Sequence, residues 1–183
     1  MIVFIEKKRS SSDEFITHCY EQYVKIMAQT KDKKLPKKCP KIVREYLTNT
    51  PIPVDGKPHF ESGPSFSLSH SGEYQVLVMN DSEVGVDIER IKDGDFLKMA
   101  SRFFDAKEYQ AVKDGGNGVF FELWTKKEAY AKYLGGSIIK NLNVNIDTLA
   151  TSGIKFEQLN VIDGYVLNIC YKNTDEILIK IIN

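Results

Sequence analysis

Apolar positions recur along this chain at two periods, and the changes of period divide it into elements. Recurrence at every second residue marks a half-buried strand, and recurrence at three and four marks a helix. The run Ile2-Val3-Phe4-Ile5 predicts a strand over 2–6, followed by a helix over 13–28. Strands are expected at 66–69, 74–79 and 84–89. In the last of these Val84, Val86 and Ile88 alternate with Gly85, Asp87 and Glu89. The four residues Asn80-Asp81-Ser82-Glu83 suit a hairpin between the second and third of these strands. Helices are predicted at 95–104 and 106–113, then a break at Gly115-Gly116-Asn117-Gly118. A long helix over 119–134 ends at Gly135-Gly136. Strands near 154–161, 164–172 and 176–182 close the chain as a meander, with Asn173-Thr174-Asp175 as its last turn. The pattern predicts an α+β fold with antiparallel pairing. Its helix-and-strand succession, met twice, hints at two similar halves.

Composition adds little to the fold and more to the setting. The 183 residues suffice for one compact unit or two small halves, and 42% hydrophobic residues supply a core. Charged residues make up 27% and cancel to a formal net charge of +0, as in a soluble globular protein. The N-terminal apolar run passes directly into Glu6-Lys7-Lys8-Arg9, so it predicts a strand and neither a signal peptide nor an anchor. Cys19, Cys39 and Cys170 are odd in number and lack Cys-x-x-Cys spacing. They predict reduced thiols in a cytoplasmic protein, without a disulfide frame or zinc site.

Charge is distributed unevenly. Between Lys31 and Arg44 the chain carries Lys31, Lys33, Lys34, Lys37, Lys38, Lys41 and Arg44 against Asp32 alone. Pro36 and Pro40 keep the first part, 31–40, a loop, before a short helix over 41–47 and a second loop through Pro51, Pro53 and Gly56. This basic segment is open to three readings: a solvated face, a dock for an acidic partner or a nucleotide phosphate, or a nucleic-acid contact. The neutral total and the lack of a stacking repeat weigh against nucleic acid.

Candidate chemistry gathers in three places. Asp87 and Glu89 project from one face of their strand. On the long helix Trp124, Glu128 and Lys132 share a face at i, i+4 and i+8. If strand and helix pack together, three carboxylates and one ammonium meet. Hard oxygen donors with few neutralising partners suit Mg²⁺, and Mn²⁺ also; Mg²⁺ typically takes one or two carboxylates and completes its shell with phosphate oxygens and water. The third place is Ser69-His70-Ser71-Gly72, read as a tight polar turn whose hydroxyls, amides and imidazole suit a phosphate. Taken singly, each feature has an ordinary explanation: a wet strand face, a surface i,i+4 ion pair, a Ser-rich turn. Trp124 reads as packing that holds Glu128 in one rotamer.

Ser-His-Ser-Gly, then Gly85-Val86-Asp87-Ile88-Glu89, then Arg102-Phe103-Phe104 with Glu108-Tyr109, then Trp124-x-x-Lys127-Glu128-Ala129-x-x-Lys132, in this order and at these intervals, resembles the Sfp-type phosphopantetheinyl transferases. The resemblance is dense from about Lys57 to Gly136. It implies transfer of the phosphopantetheine arm of coenzyme A to a serine of an apo acyl or peptidyl carrier protein, with release of 3′,5′-ADP. It also implies a pseudo-twofold pair of halves, 1–90 and 91–183, with coenzyme A between them. By the same resemblance Asp87, Glu89 and Glu128 hold Mg²⁺, and Glu128 or a metal-bound water is the base. Lys132 serves the leaving group, Ser69 and His70 hold phosphate oxygens, and Lys57 contacts coenzyme A. Basic residues of the N-terminal segment meet the 3′-phosphate, and Lys41 and Arg44 are candidates for binding coenzyme A. A monomer without membrane or nucleic-acid partners is expected.

Glu108 has two readings: a support for the base, as the resemblance implies, or a capping-box partner of Asp105. Rivals to the whole reading are another metal-dependent phosphotransfer or phosphodiester-cleaving enzyme, and a non-enzymatic module binding nucleic acid or an acidic partner. A third is an inactive relative, against which the intact Asp87, Glu89, Glu128 and Lys132 set argues.

Overall fold

The computed structural model describes residues 1–29, 63–136, 144–172 and 176–182. The basic segment, its short helix, Lys41, Arg44, Cys39, Lys57 and the turn at Asn173-Thr174-Asp175 lie outside the described residues.

The strands are β1 (Ile2–Lys7), β2 (Ser65–Ser71), β3 (Tyr74–Asn80), β4 (Val84–Arg90), β5 (Lys155–Gln158), β6 (Tyr165–Tyr171) and β7 (Leu178–Ile182). The helices are α1 (Ser12–Gln29), α2 (Leu97–Phe103), α3 (Ala106–Tyr133) and a single turn, α4 (Ile146–Leu149). One sheet has the order β2-β3-β1-β7 and the other β4-β6-β5.

Alternation along the strands divides their side chains between two layers. Ile2 and Phe4 of β1 face α1, where Phe15, Ile16, Cys19, Tyr20 and Tyr23 cover them. Val3 and Ile5 face the other way and pack with Val76 and Val78 of β3 against Val84, Val86 and Ile88 of β4 and Leu167 and Ile169 of β6. The two sheets thus lie face to face. On the far side of the second sheet α2 and α3 add Ala100, Phe104, Val112, Phe120 and Phe121, which pack with Val166. The α+β expectation holds, and the layers run α1, first sheet, second sheet, α2–α3.

Two expectations about connectivity are corrected. First, β3 and β4 make no hairpin. Both edges of β3 are taken, by β2 and β1, so the chain crosses at residues 81–83 into the second sheet. Second, the closing meander stops at β5–β6. β7 leaves it and lies parallel to β1, Ile2 against Leu178 through Glu6 against Ile182. The core half of β1 is buried, so its backbone needs partners on both sides, and β7 supplies the second. The expected break at Gly115–Gly118 is present as a kink at Gly116, whose φ of 72° separates two helical stretches of α3 between Ala106 and Tyr133. A division near residue 90 would put β4 in the first half and β7 in the second, whereas the sheets draw β4 into the second and β7 into the first.

Candidate active site

β2 is the edge of the first sheet and β4 the edge of the second, and the two run side by side. Serine side chains join them. The amides of Val86, Ile88 and Arg90 donate to the hydroxyl oxygens of Ser67 (3.0 Å), Ser69 (3.3 Å) and Ser71 (3.1 Å). An edge strand would otherwise present these amides bare. The expected polar turn is therefore corrected: Ser69-His70-Ser71 lies inside β2, and the two-residue turn is Gly72-Glu73. A strand satisfies the Ser–β4 contacts, which a turn would break.

Each hydroxyl has one proton left to give. Ser69 donates to Asp87 Oδ1 at 2.7 Å and Ser71 to Glu89 Oε2 at 2.7 Å. Ser67 stands beside the Gly85–Val86 rung, where β4 carries no carboxylate. The Ser69 oxygen also accepts from Lys132 Nζ at 2.9 Å, and Lys132 pairs with Asp87 Oδ1 at 2.7 Å. Asp87 is buried, whereas Lys132 keeps about a third of its side chain in solvent.

The carboxylates meet α3 because β4 approaches it closely. A Cβ at Gly85 would overlap the Ala129 carbonyl oxygen and lie 2.5 Å from Tyr133 N. With glycine there, the strand lies against the turn that carries Glu128 and Lys132. Burial, then the charges of Asp87 and Glu89, push the Glu128 carboxyl up to about 7, against the pull of Lys132 and a hydrogen bond from Trp124. Burial also raises the Asp87 carboxyl, opposed by Lys132 and Ser69. Trp124 stacks on Phe120 with centroids 5.7 Å apart and meets Phe103 edge-on at 6.3 Å, so the indole that holds Glu128 is itself packed.

Asp87, Glu89, Glu128, Lys132 and Ser69 are thus brought together. His70 is exposed, and β2 turns it to the face opposite Ser69. Glu108 caps α3: Asp105 accepts from the Glu108 amide at 2.8 Å and Glu108 from the Asp105 amide at 3.1 Å. It also pairs at 2.9 Å with Lys127, whose side chain is fully buried and whose Nζ donates to the Val144 carbonyl at 2.6 Å. Lys127 sits in an otherwise apolar stripe for this reason. Asp105 Oδ2 further accepts from the Asn145 amide, so the pair fastens the segment around residue 145 to α3. Neither the Lys127–Glu108 pair nor the serine rungs follow from the motifs as read, although serine at 65, 67, 69 and 71 signals the latter.

The donors suit Mg²⁺ in kind: all are carboxylate oxygens, and Asp87 Oδ2 is buried with no hydrogen-bond partner. Among the described residues no three acidic, histidine or cysteine side chains converge as a ready-made metal cage. Mg²⁺ does not require one, because phosphate and water complete its shell. Among the described residues no helix is long and apolar enough to cross a membrane.

The α+β scaffold thus pairs Asp87 with Lys132 at one strand–helix junction, with Glu89 and Glu128 near enough to act on it electrostatically. Residues 83–176 match the model of the 4′-phosphopantetheinyl transferase superfamily, and the chain belongs to that superfamily. It is similar to 4′-phosphopantetheinyl transferase psf-1 of Bacillus pumilus, at 41% identity over 105 residues, 54% of this chain and 45% of that protein. Against the transferase gsp of Aneurinibacillus migulanus it is 37% identical over 108 residues, 56% of this chain and 45% of that protein. Against AcpT of Salmonella typhi it is 33% identical over 123 residues, covering 63% and 62%. The chain spans about half the length of the first two of these relatives.

Proposed function

We propose that this protein transfers the 4′-phosphopantetheine arm of coenzyme A to a serine hydroxyl of an apo acyl or peptidyl carrier protein, with Mg²⁺ and release of 3′,5′-ADP. The observation that carries this reading is the junction of β4 and α3, where Asp87, Glu128 and Lys132 are held at one point. Family membership and the names of the relatives support it.

Asp87, Glu89 and Glu128 would hold the metal, Mg²⁺ or Mn²⁺. When bound it neutralises diphosphate charge and orients the β-phosphorus. The residues of the chain do the rest by position and charge, as phosphoryl transfer requires. Glu128, or a water on the metal, would remove the proton from the carrier serine. Lys132 stabilises the departing 3′,5′-ADP. The exposed His70 meets phosphate oxygens, while Ser69, its hydroxyl fully engaged by the Ile88 amide, Lys132 and Asp87, fixes Asp87 and Lys132 instead of a phosphate. Lys57, Lys41 and Arg44 contribute to coenzyme A, Lys41 and Arg44 at its 3′-phosphate. Residues from both sides of position 90, Asp87 and Glu89 before it and Glu128 and Lys132 after it, supply the site within one chain, and the protein acts as a cytoplasmic monomer. Calorimetry with coenzyme A tests the metal assignment. Binding should need Mg²⁺ and weaken at least tenfold in Asp87→Asn. Metal-independent binding, or equal binding by the variant, would remove the metal assignment.

A further inference from the structure

The serine rungs between β2 and β4 do two jobs at once, and the second bears on the carboxylates. A hydroxyl has two lone pairs and one proton. At Ser71 the Arg90 amide takes up a lone pair, which leaves the proton directed at Glu89 Oε2, 2.7 Å away. At Ser69 both lone pairs are engaged, by the Ile88 amide and by Lys132 Nζ, and the proton goes to Asp87 Oδ1. The backbone of β4 therefore fixes the direction of each hydrogen bond. Each carboxylate oxygen accepts from its serine. Each is also tied to a rung that is tied to its own strand, so its rotamer is set by β2. Ser67 accepts from the Val86 amide in the same way, but its rung carries no carboxylate.

We propose that Ser71, with Ser69 beside it, is a positioning residue that orients Glu89 and Asp87 for metal. This rests on the transferase reading above, in which those carboxylates hold Mg²⁺. Partners that orient a metal's ligands are worth about 10- to 100-fold in affinity. Ser67 is the matched control, since it makes the same backbone contact without a carboxylate.

The test is the dissociation constant for Mn²⁺, measured by electron paramagnetic resonance on the full chain with coenzyme A present. Amide hydrogen exchange at Val86 and Arg90 is followed in parallel. Ser71→Ala should raise the constant about tenfold and speed exchange at Arg90. Ser67→Ala should speed exchange at Val86 and leave the constant within about twofold, as expected for a site outside the network. Ser71→Thr, which keeps the hydroxyl, should bind as wild type, and this arm stands even if Ser71→Ala does not fold. An unchanged constant in Ser71→Ala, equal weakening by Ser67→Ala, or weakening by Ser71→Thr would each overturn the proposal while wild-type binding left the transferase reading intact. A wild-type protein that binds neither Mn²⁺ nor coenzyme A would overturn both.

Discussion

Glu128 carries the clearest single-residue consequence. Its carboxyl is raised from 4.5 to about 7, chiefly by burial. The folded state then holds a proton more tightly than the unfolded chain. Without divalent metal, the contribution of Glu128 to stability is fully present below pH 4.5, is lost as pH rises through the interval to about 7, and is constant beyond. Glu128→Gln lacks this titration and keeps the shape. In EDTA it should melt above the wild type at pH 8 and with it at pH 4.5. A melting-temperature difference that is the same at both pH values would contradict the assignment. Lys127 has the opposite character, a buried cation whose value lies in its partner. Lys127→Met leaves Glu108 buried without its ion pair and should cost about 3–5 kcal/mol in urea unfolding. A loss under about 1 kcal/mol would mean that Glu108 is satisfied by its amide contacts alone. The motif residues Asp87, Glu128 and Lys132 were legible in the sequence because their spacing on one strand face and one helix face can be counted. Lys127 was not: a lysine in an apolar stripe reads as an irregularity until its buried acceptors are seen.

The decisive elements are β4 and α3. Their contact depends on Gly85, where any side chain meets the backbone of Ala129 and Tyr133. Gly85→Ala should force strand and helix apart, cost about 3 kcal/mol and move Asp87 away from Lys132. Urea unfolding and coenzyme A binding would check this, and a variant with wild-type stability and affinity would refute the close approach. Element boundaries came within a few residues of the period-based reading, because alternation along β4 and the capping box at Asp105 are local signals. The serine positions 65, 67, 69 and 71 also alternate, yet the sequence reading divided them between a strand and a turn. Their function is to bond an edge strand of another sheet, which no local pattern encodes. Partnering failed for the same reason. The pairing of β7 with β1, fastened by the Met1 N-terminus on the Glu176 carbonyl and the Leu178 amide on the Met1 carbonyl, joins opposite ends of the chain. The last strand reads as part of a meander only while β1 is left out of account.

For the molecule as a whole, charge separates two tasks. The neutral total conceals the basic stretch from Lys31 to Arg44, while the carboxylates collect at the β4–α3 junction. In the proposed reaction the basic stretch attracts anionic substrate, and its contribution is screened by salt. Reversing the charge of Lys37, Lys38 and Lys41 together should weaken substrate binding and flatten its dependence on ionic strength. An unchanged KM for both coenzyme A and carrier would remove this role. The central claim is the transfer itself, and intact mass measures it most directly. The purified protein is mixed with coenzyme A, Mg²⁺ and a panel of apo carrier proteins. The account predicts that at least one carrier gains the mass of a single phosphopantetheine arm, that EDTA abolishes the gain, and that Glu128→Gln does so too. Coenzyme A binding with no carrier modified, or a gain indifferent to EDTA and to Glu128, would contradict it.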